Sequence, residues 1–418
     1  MAPKIGFAKT DITPPVGTEL GGYAGFRPCT GIHDPLSCRA VVLEQDGVRF
    51  GLAVLDLMCV DEGLYLAVAE KAEKLGISRQ RLILAAIHSH AAPAGMIPGA
   101  GPLAKINGPE EPKKPEFREY MDAVVERTLE ALKTAAERAE DFRIRWARGD
   151  VPPVGSERHT GEPAGGKLTA IQIRTVSGKN LILYNFPCHP TVLSAANTLV
   201  SRDFAATIEE KLGADMAVFL NGAAGDISTR FTRRESSFEE CDRMGTLAAE
   251  AVKTLLSGAA YTEPGELTGI REWVTVPARK ILGEEEAQAQ LEKALAEAKA
   301  AEEAGLNPGK LRILRSYAEG AGVALQFART MVGVEEFHLP VTVFSFCGLT
   351  FFTVPGELFS TLAPEELCPI TYANGYYRYI ADMNAYDRGD YEAMAAIAKR
   401  GGGELLMERI RDMVRKIQ

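Results

Sequence analysis

Along this chain a short apolar run repeatedly gives way to a polar side chain able to do chemistry, and then to a loop rich in Gly or Pro. Residues 38–44 and 48–56 read as two strands. The Gln45-Asp46-Gly47 between them is a hairpin signal, and the second strand ends in Asp56. Residues 62–75 have helical spacing. Residues 81–87 are a buried strand that hands over to His88-Ser89-His90 and then to a loop of turn formers over 91–101. A polar loop over 102–115 precedes an amphipathic helix over 116–138, with Tyr120, Val124, Val125, Leu129 and Leu132 on one face.

The second half follows the same grammar. Strands are expected over about 141–149, 168–175 and 180–187, the last running into Cys188-His189-Pro190. A helix over 203–213 leads to a strand at 216–220. That strand is followed at once by Asn221 and then by Asp226 and Ser228. A helix over 238–257 and strands within 266–278 come next. Residues 283–331 are rich in Ala, Glu and Lys and break at Asn307-Pro308-Gly309. They form a helical hairpin, either packed on the surface or serving as a lid or dimer contact. Strands resume at 339–346 and 349–354, the latter ending in Pro355-Gly356-Glu357. A Tyr-rich stretch and a closing helix from about 404 complete the chain.

The expected fold class is α/β, with mixed β-sheets flanked by helices. Residues 1–418 form a single catalytic domain that carries the 283–331 hairpin as an insertion. The Gly-rich opening, residues 6–35, reads as loop, either surface turns or one wall of an active site. No internal sequence repeat is found.

Composition narrows the function. The chain has 418 residues, 46% hydrophobic and 25% charged, which is ordinary for a globular protein. A net charge of −9 argues against a nucleic-acid partner and against attraction to an anionic membrane surface. No apolar window is long enough to span a bilayer, and the opening residues lack a signal-peptide core. The 7 Cys are scattered without a CxxC, as expected of reduced thiols in a cytoplasmic protein.

The strand ends carry Asp56, His88 with His90, His189, Asp226 with Ser228, and Glu357, using three of the 6 His. Strand ends that share one edge build one site. Two imidazoles, a carboxylate and an open position are the ligand set of catalytic zinc, and no Cys spacing suggests a structural zinc site. The chemistry implied is hydrolysis of an amide or ester by a metal-activated water. Asp56 reads as a partner that orients a metal-bound His, or as a strand-end cap. Arg202-Asp203 reads as a helix N-cap, Cys188 as a small buried residue, and His159 as a surface residue.

At these residues the chain resembles the neutral ceramidase family, the neutral/alkaline non-lysosomal ceramidases. The family's T-H-T-H-S-G-P-G-G pattern corresponds to residues 87–95. Its A-T-H-P-T corresponds to 187–191, its N-E-G-D-V-S-P-N to 221–230, and its P-G-E to 355–357. Gly22-Tyr23-Ala24, Gly31-Ile32-His33 and the Tyr-rich stretch from Tyr379 to Glu392 follow in family order. The chain departs from the pattern at Thr229-Arg230, where the family has Pro-Asn, and after His90, where Ala91-Ala92-Pro93-Ala94-Gly95 stands in place of Ser-Gly-Pro-Gly-Gly.

The resemblance implies zinc held by His88, His189, Glu357 and Tyr391. It implies catalytic roles for His90, Ser228 and Asp226, and substrate contacts from Asn221, His33 and Tyr379. The activity implied is that of a zinc-dependent amidohydrolase, ceramidase-like, acting on a small-molecule or lipid-like N-acyl substrate; the acidic composition points to a soluble substrate rather than ceramide, and both stay open. A zinc esterase or lactonase, or a catalytically inactive binding protein that keeps the fold, stays open, as does homo-oligomeric assembly. If strand pairing persists through residue 90, both imidazoles point to one face. His88 would then bind metal while His90 faces the reacting carbonyl.

Overall fold

The computed structural model describes residues 2–23, 25–97 and 115–418. The loop expected at 102–115 and the end of the 91–101 loop therefore lie outside the described residues. The protein is a mixed α/β structure built on three four-stranded sheets. The first holds β1 (Lys4–Asp11), β2 (Ser37–Gln45), β3 (Val48–Leu55) and β4 (Leu82–Ala86) in that order. The second holds β5 (Phe142–Asp150), β6 (Lys167–Thr175), β7 (Asn180–Phe186) and β8 (Met216–Asn221). The third holds β9 (Leu267–Pro277), β10 (Glu336–Phe346), β11 (Leu349–Thr353) and β12 (Cys368–Ile370).

One topology recurs in all three sheets. Three consecutive strands form an antiparallel meander, and a fourth returns on the edge, parallel to the third. No sequence repeat announces it, because β-sheet topology constrains only the alternation of apolar positions and not their identity. The parallel pair matters most, since ligands gather beyond the carboxyl ends of parallel strands. His88 follows β4, His189 follows β7 and Glu357 follows β11.

Period-2 alternation explains how the sheets pack. In β2, Val41 and Leu43 join a central core shared with Ile171, Leu183, Phe344 and Phe351 of the other two sheets. Cys38, Ala40 and Val42 point the other way, into a second core with α1 (Glu62–Ala72) and α2 (Pro115–Glu137). Behind the second sheet lie α3 (Phe204–Leu212) and α4 (Phe238–Ser257). The hairpin stretch forms α5 (Glu284–Glu303) and α6 (Pro308–Thr330), packed through Ala287, Leu325 and Ala328. The closing helix α7 (Gly402–Ile417) lies on β9 and β10. No described helix is long and apolar enough to cross a membrane.

Two local expectations fare differently. The β2–β3 connection is the two-residue turn read from Asp46-Gly47, with φ of 52° and 77°, as a type I′ hairpin requires. The opening was read as loop from residue 6, but β1 pairs with β2 over its full length. Gly6 obscured that strand. A Cβ there would lie 2.0 Å from the Ala135 carbonyl oxygen, so the glycine marks close approach of β1 to α2 and not a turn.

Candidate active site

β4 ends at Ala86, where the ladder with β3 has its last pair at Leu55 and the other edge is met by an isolated bridge from Ala85 to Ala373. The pairing expected through residue 90 does not occur. Instead His88 turns into the left-handed region, with φ of 70°. That conformation costs a non-glycine residue about 1–3 kcal/mol and persists only where the surroundings impose it. Here the His88 N–H donates to the Leu57 carbonyl at 3.0 Å, and the ring stacks on Tyr372 at 4.0 Å. The turn, and not strand alternation, brings the His88 and His90 rings within 4.9 Å of each other.

His88, His90 and His189 converge, and all three are buried. Nδ1 of His88 donates to the Met58 carbonyl at 2.6 Å, and Nδ1 of His189 donates to the Ile227 carbonyl at 2.9 Å. These bonds fix the tautomer, so each ring turns an Nε2 lone pair inward. Both Nε2 atoms meet the Glu357 carboxylate, His189 at 2.9 Å and His88 at 3.5 Å. The Tyr376 hydroxyl donates to the other Glu357 oxygen at 2.5 Å. Burial, then the nearby Arg158 cation, pushes His189 down to about 4, which keeps it neutral. Burial works against the Glu357 carboxylate, but His88 and His189 outweigh it and hold the group well below the usual range.

His90 is placed differently. Its Nε2 lies 3.2 Å from His88 Nε2, while its Nδ1 is buried without a hydrogen-bond partner. Burial and the two neighbouring imidazoles keep it neutral. The Gly-rich opening packs directly on this ring, which makes it a wall of the site. A Cβ on Gly22 would fall 2.4 Å from the ring, and Tyr23 meets it edge-on at 4.8 Å. Arg27 donates to the His90 carbonyl at 2.7 Å.

The other expected site residues separate into two groups. Tyr379 and Tyr391 line the same cavity of about 390 Å³ as His88, His90 and Glu357. They pack edge to face at 5.7 Å, and Arg158 donates to the Tyr379 hydroxyl at 3.1 Å. The tyrosine that touches Glu357 is Tyr376, whereas Tyr391 stands on the cavity wall. Ser228 is buried and bridges to His189 through the backbone.

Three residues are not among those lining this cavity. Asn221 donates to the Ile87 carbonyl at 3.0 Å and accepts from the Cys188 N–H at 3.4 Å, tying two ligand loops together. Both Asp226 carboxylate oxygens are taken by Ser360, each at 2.7 Å, and burial raises this group to about 6. His33 is exposed, stacks on Phe238 at 3.5 Å and borders a different cavity with Asp34 and Arg202. The imidazoles of the site also lack Asp56 as an orienting partner, because Arg39 holds that carboxylate at 2.7 Å.

Sequence reading missed Arg158, Arg312, Glu319 and Arg378, all on the cavity wall. Arg158 adjoins His159, in a segment read as surface. In the fold, His159 Nε2 donates to Glu392 at 2.9 Å, and Arg158 pairs with the same carboxylate at 3.1 Å. Glu392 raises the His159 pKa above its ordinary value. The pair therefore contributes stability that is fully present below the unfolded pKa and is lost as pH rises through the folded one. The melting temperature should fall between about pH 6 and pH 8, and His159→Gln should flatten that part of the profile. Identical slopes for both proteins would show that the pair contributes nothing.

Fold and site together define an α/β protein with a buried histidine–carboxylate centre where three sheets meet. Residues 4–161 match the family described as neutral/alkaline non-lysosomal ceramidase, N-terminal. Among solved structures, the fold matches the neutral ceramidase from Pseudomonas aeruginosa. The TM-score is 0.75 at 17% identity, over 99% of this chain and 74% of that one. It also matches a ceramidase complexed with C2, with a TM-score of 0.73 at 17% identity, over 100% of this chain and 76% of that one. At that identity the likeness is one of fold. No curated protein matches. The resemblance to the neutral ceramidases is thus borne out in sequence over residues 4–161 and in fold over the whole chain.

Proposed function

We propose that this chain is a metal-dependent hydrolase of an amide (N-acyl) bond, with zinc as its metal. The observation that carries the reading is the pair of imidazoles whose Nδ1 atoms are fixed on backbone carbonyls, so that both Nε2 atoms face Glu357. Two neutral nitrogens and a carboxylate oxygen fit zinc and leave room for a further ligand. His88, His189 and Glu357 would hold it, with the tyrosine wall on the remaining side, where Tyr391 is the fourth ligand implied by the motif register. Bound zinc would supply Lewis-acid polarisation of a carbonyl and a lowered pKa for water.

The chain's own residues do the rest. His90 is neutral and has an unpartnered Nδ1, so it can take up or hand on the proton at the reacting group. Arg158 brings a buried positive charge to the cavity, where it stabilises an oxygen that gains negative charge. Ser228 sits beside His189 as a positioning group. Tyr23, Met58 and Met96 narrow the approach for water. Amide cleavage over ester cleavage is supported by the ceramidase family match.

Metal analysis and a paired assay test this. The purified protein should carry zinc, a chelator should abolish turnover, and added zinc should restore it. An N-acyl amide should be cleaved in preference to the matching ester. Turnover that survives complete removal of metal, or cleavage of the ester alone, would sink the proposal.

A further inference from the structure

The cavity wall opposite the imidazoles is formed by α6. Arg312, Glu319 and Val323 stand at i, i+7 and i+11, on one helix face, and all three line the cavity. The charge there is unlike the protein's average. The chain carries −9 overall, yet Arg158, Arg312 and Arg378 line this cavity against two carboxylates, and one of those, Glu357, belongs to the imidazole cluster. A fourth guanidinium stands behind them. Arg230 donates to the Arg158 carbonyl at 2.9 Å, and burial together with Arg158 and Arg312 pushes it down to about 10. Glu319 accepts from both terminal nitrogens of Arg312, at 2.7 and 3.3 Å, so a ligand meets the remaining N–H donors of that guanidinium, and Gln326 accepts from Arg378 at 2.9 Å. Against these four guanidiniums stand Glu319, Glu357 and, behind Arg158, Glu392, so a positive excess remains that attracts anions and repels cationic amines.

From this wall we infer that the substrate carries a carboxylate close to the scissile amide, read by Arg312 and Arg378, so that the chain acts on acidic N-acyl compounds such as N-acyl amino acids. The inference rests on the hydrolase reading above and adds the substrate class. Guanidinium forks match a carboxylate in two parallel hydrogen bonds, a geometry that a neutral amide or alcohol cannot return. The hairpin thereby has a task that packing on the surface would not give it, since it supplies the residues that distinguish one acylated compound from another.

Two matched pairs test it with the zinc-loaded protein. N-octanoylglycine against N-octanoylglycinamide places the carboxylate on the amine side. N-succinyl-octylamine against N-butyryl-octylamine places it on the acyl side. In one pair, kcat/KM should favour the acidic member by about tenfold or more, the scale of one charge-assisted hydrogen bond. Arg312→Gln and Arg378→Gln should each collapse that ratio by raising KM for the acidic member, and Arg312→Lys should retain part of it. Ratios near unity in both pairs overturn the inference. So does a preference that survives both Gln variants, because the carboxylate is then held by the metal. If no compound is turned over, the hydrolase reading falls, and equilibrium binding of the same pairs decides this one. Tighter binding of an acidic member, lost in Arg312→Gln, upholds it, and equal binding overturns it.

Discussion

Replacing His189 by Ala should strip the protein of zinc and of turnover together. His189 is fully buried, its Nδ1 is fixed on Ile227, and its Nε2 lies 2.9 Å from Glu357, so its loss removes one preorganised ligand from the set. Zinc held in a protein site is worth roughly 10–16 kcal/mol, or about 3 kcal/mol per ligand, so one lost ligand weakens binding roughly a hundredfold or more. The variant also leaves the Glu357 carboxylate buried with one imidazole fewer, which destabilises the metal-free fold. Glu357→Gln keeps the shape without the charge and separates loss of metal from loss of fold. Both variants should come through dialysis against a zinc buffer nearly metal-free, while His88→Ala should behave like His189→Ala. Full zinc content in His88→Ala and His189→Ala would place the metal elsewhere.

His90→Asn should give the opposite signature, with zinc retained and kcat lowered by roughly 10²–10⁴, the usual worth of a positioned proton-transfer group. The His90 ring is wedged between Gly22, Tyr23 and His88, and its Nδ1 has no hydrogen-bond partner to tie it to the frame. KM should change little, because His90 acts on the reacting group and not on the rest of the substrate. The measurement also discriminates between two ligand sets. His88, His90 and His189 lie close enough together to hold an ion themselves. If zinc leaves with His90, that histidine triad is the metal site, and the proton must be handled by another group.

Much of this site was legible because apolar runs end abruptly. Each of the strands before His88, His189 and Glu357 is short and buried, so its ending shows in the composition itself. What lay hidden depended on contacts distant in sequence. Asp56 looked like a site residue from its strand-end position, but Arg39, 17 residues back on the neighbouring strand β2, captures it. Asp226 was read from its place after a strand end and from the family pattern, yet the residue that takes both its oxygens, Ser360, comes from another sheet's loop. The tyrosine register could not be read from spacing alone. Tyr376, Tyr379 and Tyr391 all reach one cavity, and side-chain direction decides which meets Glu357. Arg312 and Glu319 belong to a hairpin whose Ala-rich pattern shows only that its two helices can pack on each other. That the hairpin also walls the cavity is a tertiary fact.

The triplicated strand arrangement bears on how the site comes into being. His88, His189 and Glu357 each stand at the end of a different sheet, and each sheet is contributed by a different third of the chain. A fragment holding one sheet, or two, carries only some of these three side chains, so the cluster is complete only once the last sheet has docked. If the proposed metal is held there, its capture would come late in maturation, because only a chain whose three sheets have come together brings His88, His189 and Glu357 within reach of one ion. An ion bound there would cross-link three sheets that already share one core, and its removal should lower the stability of all three together.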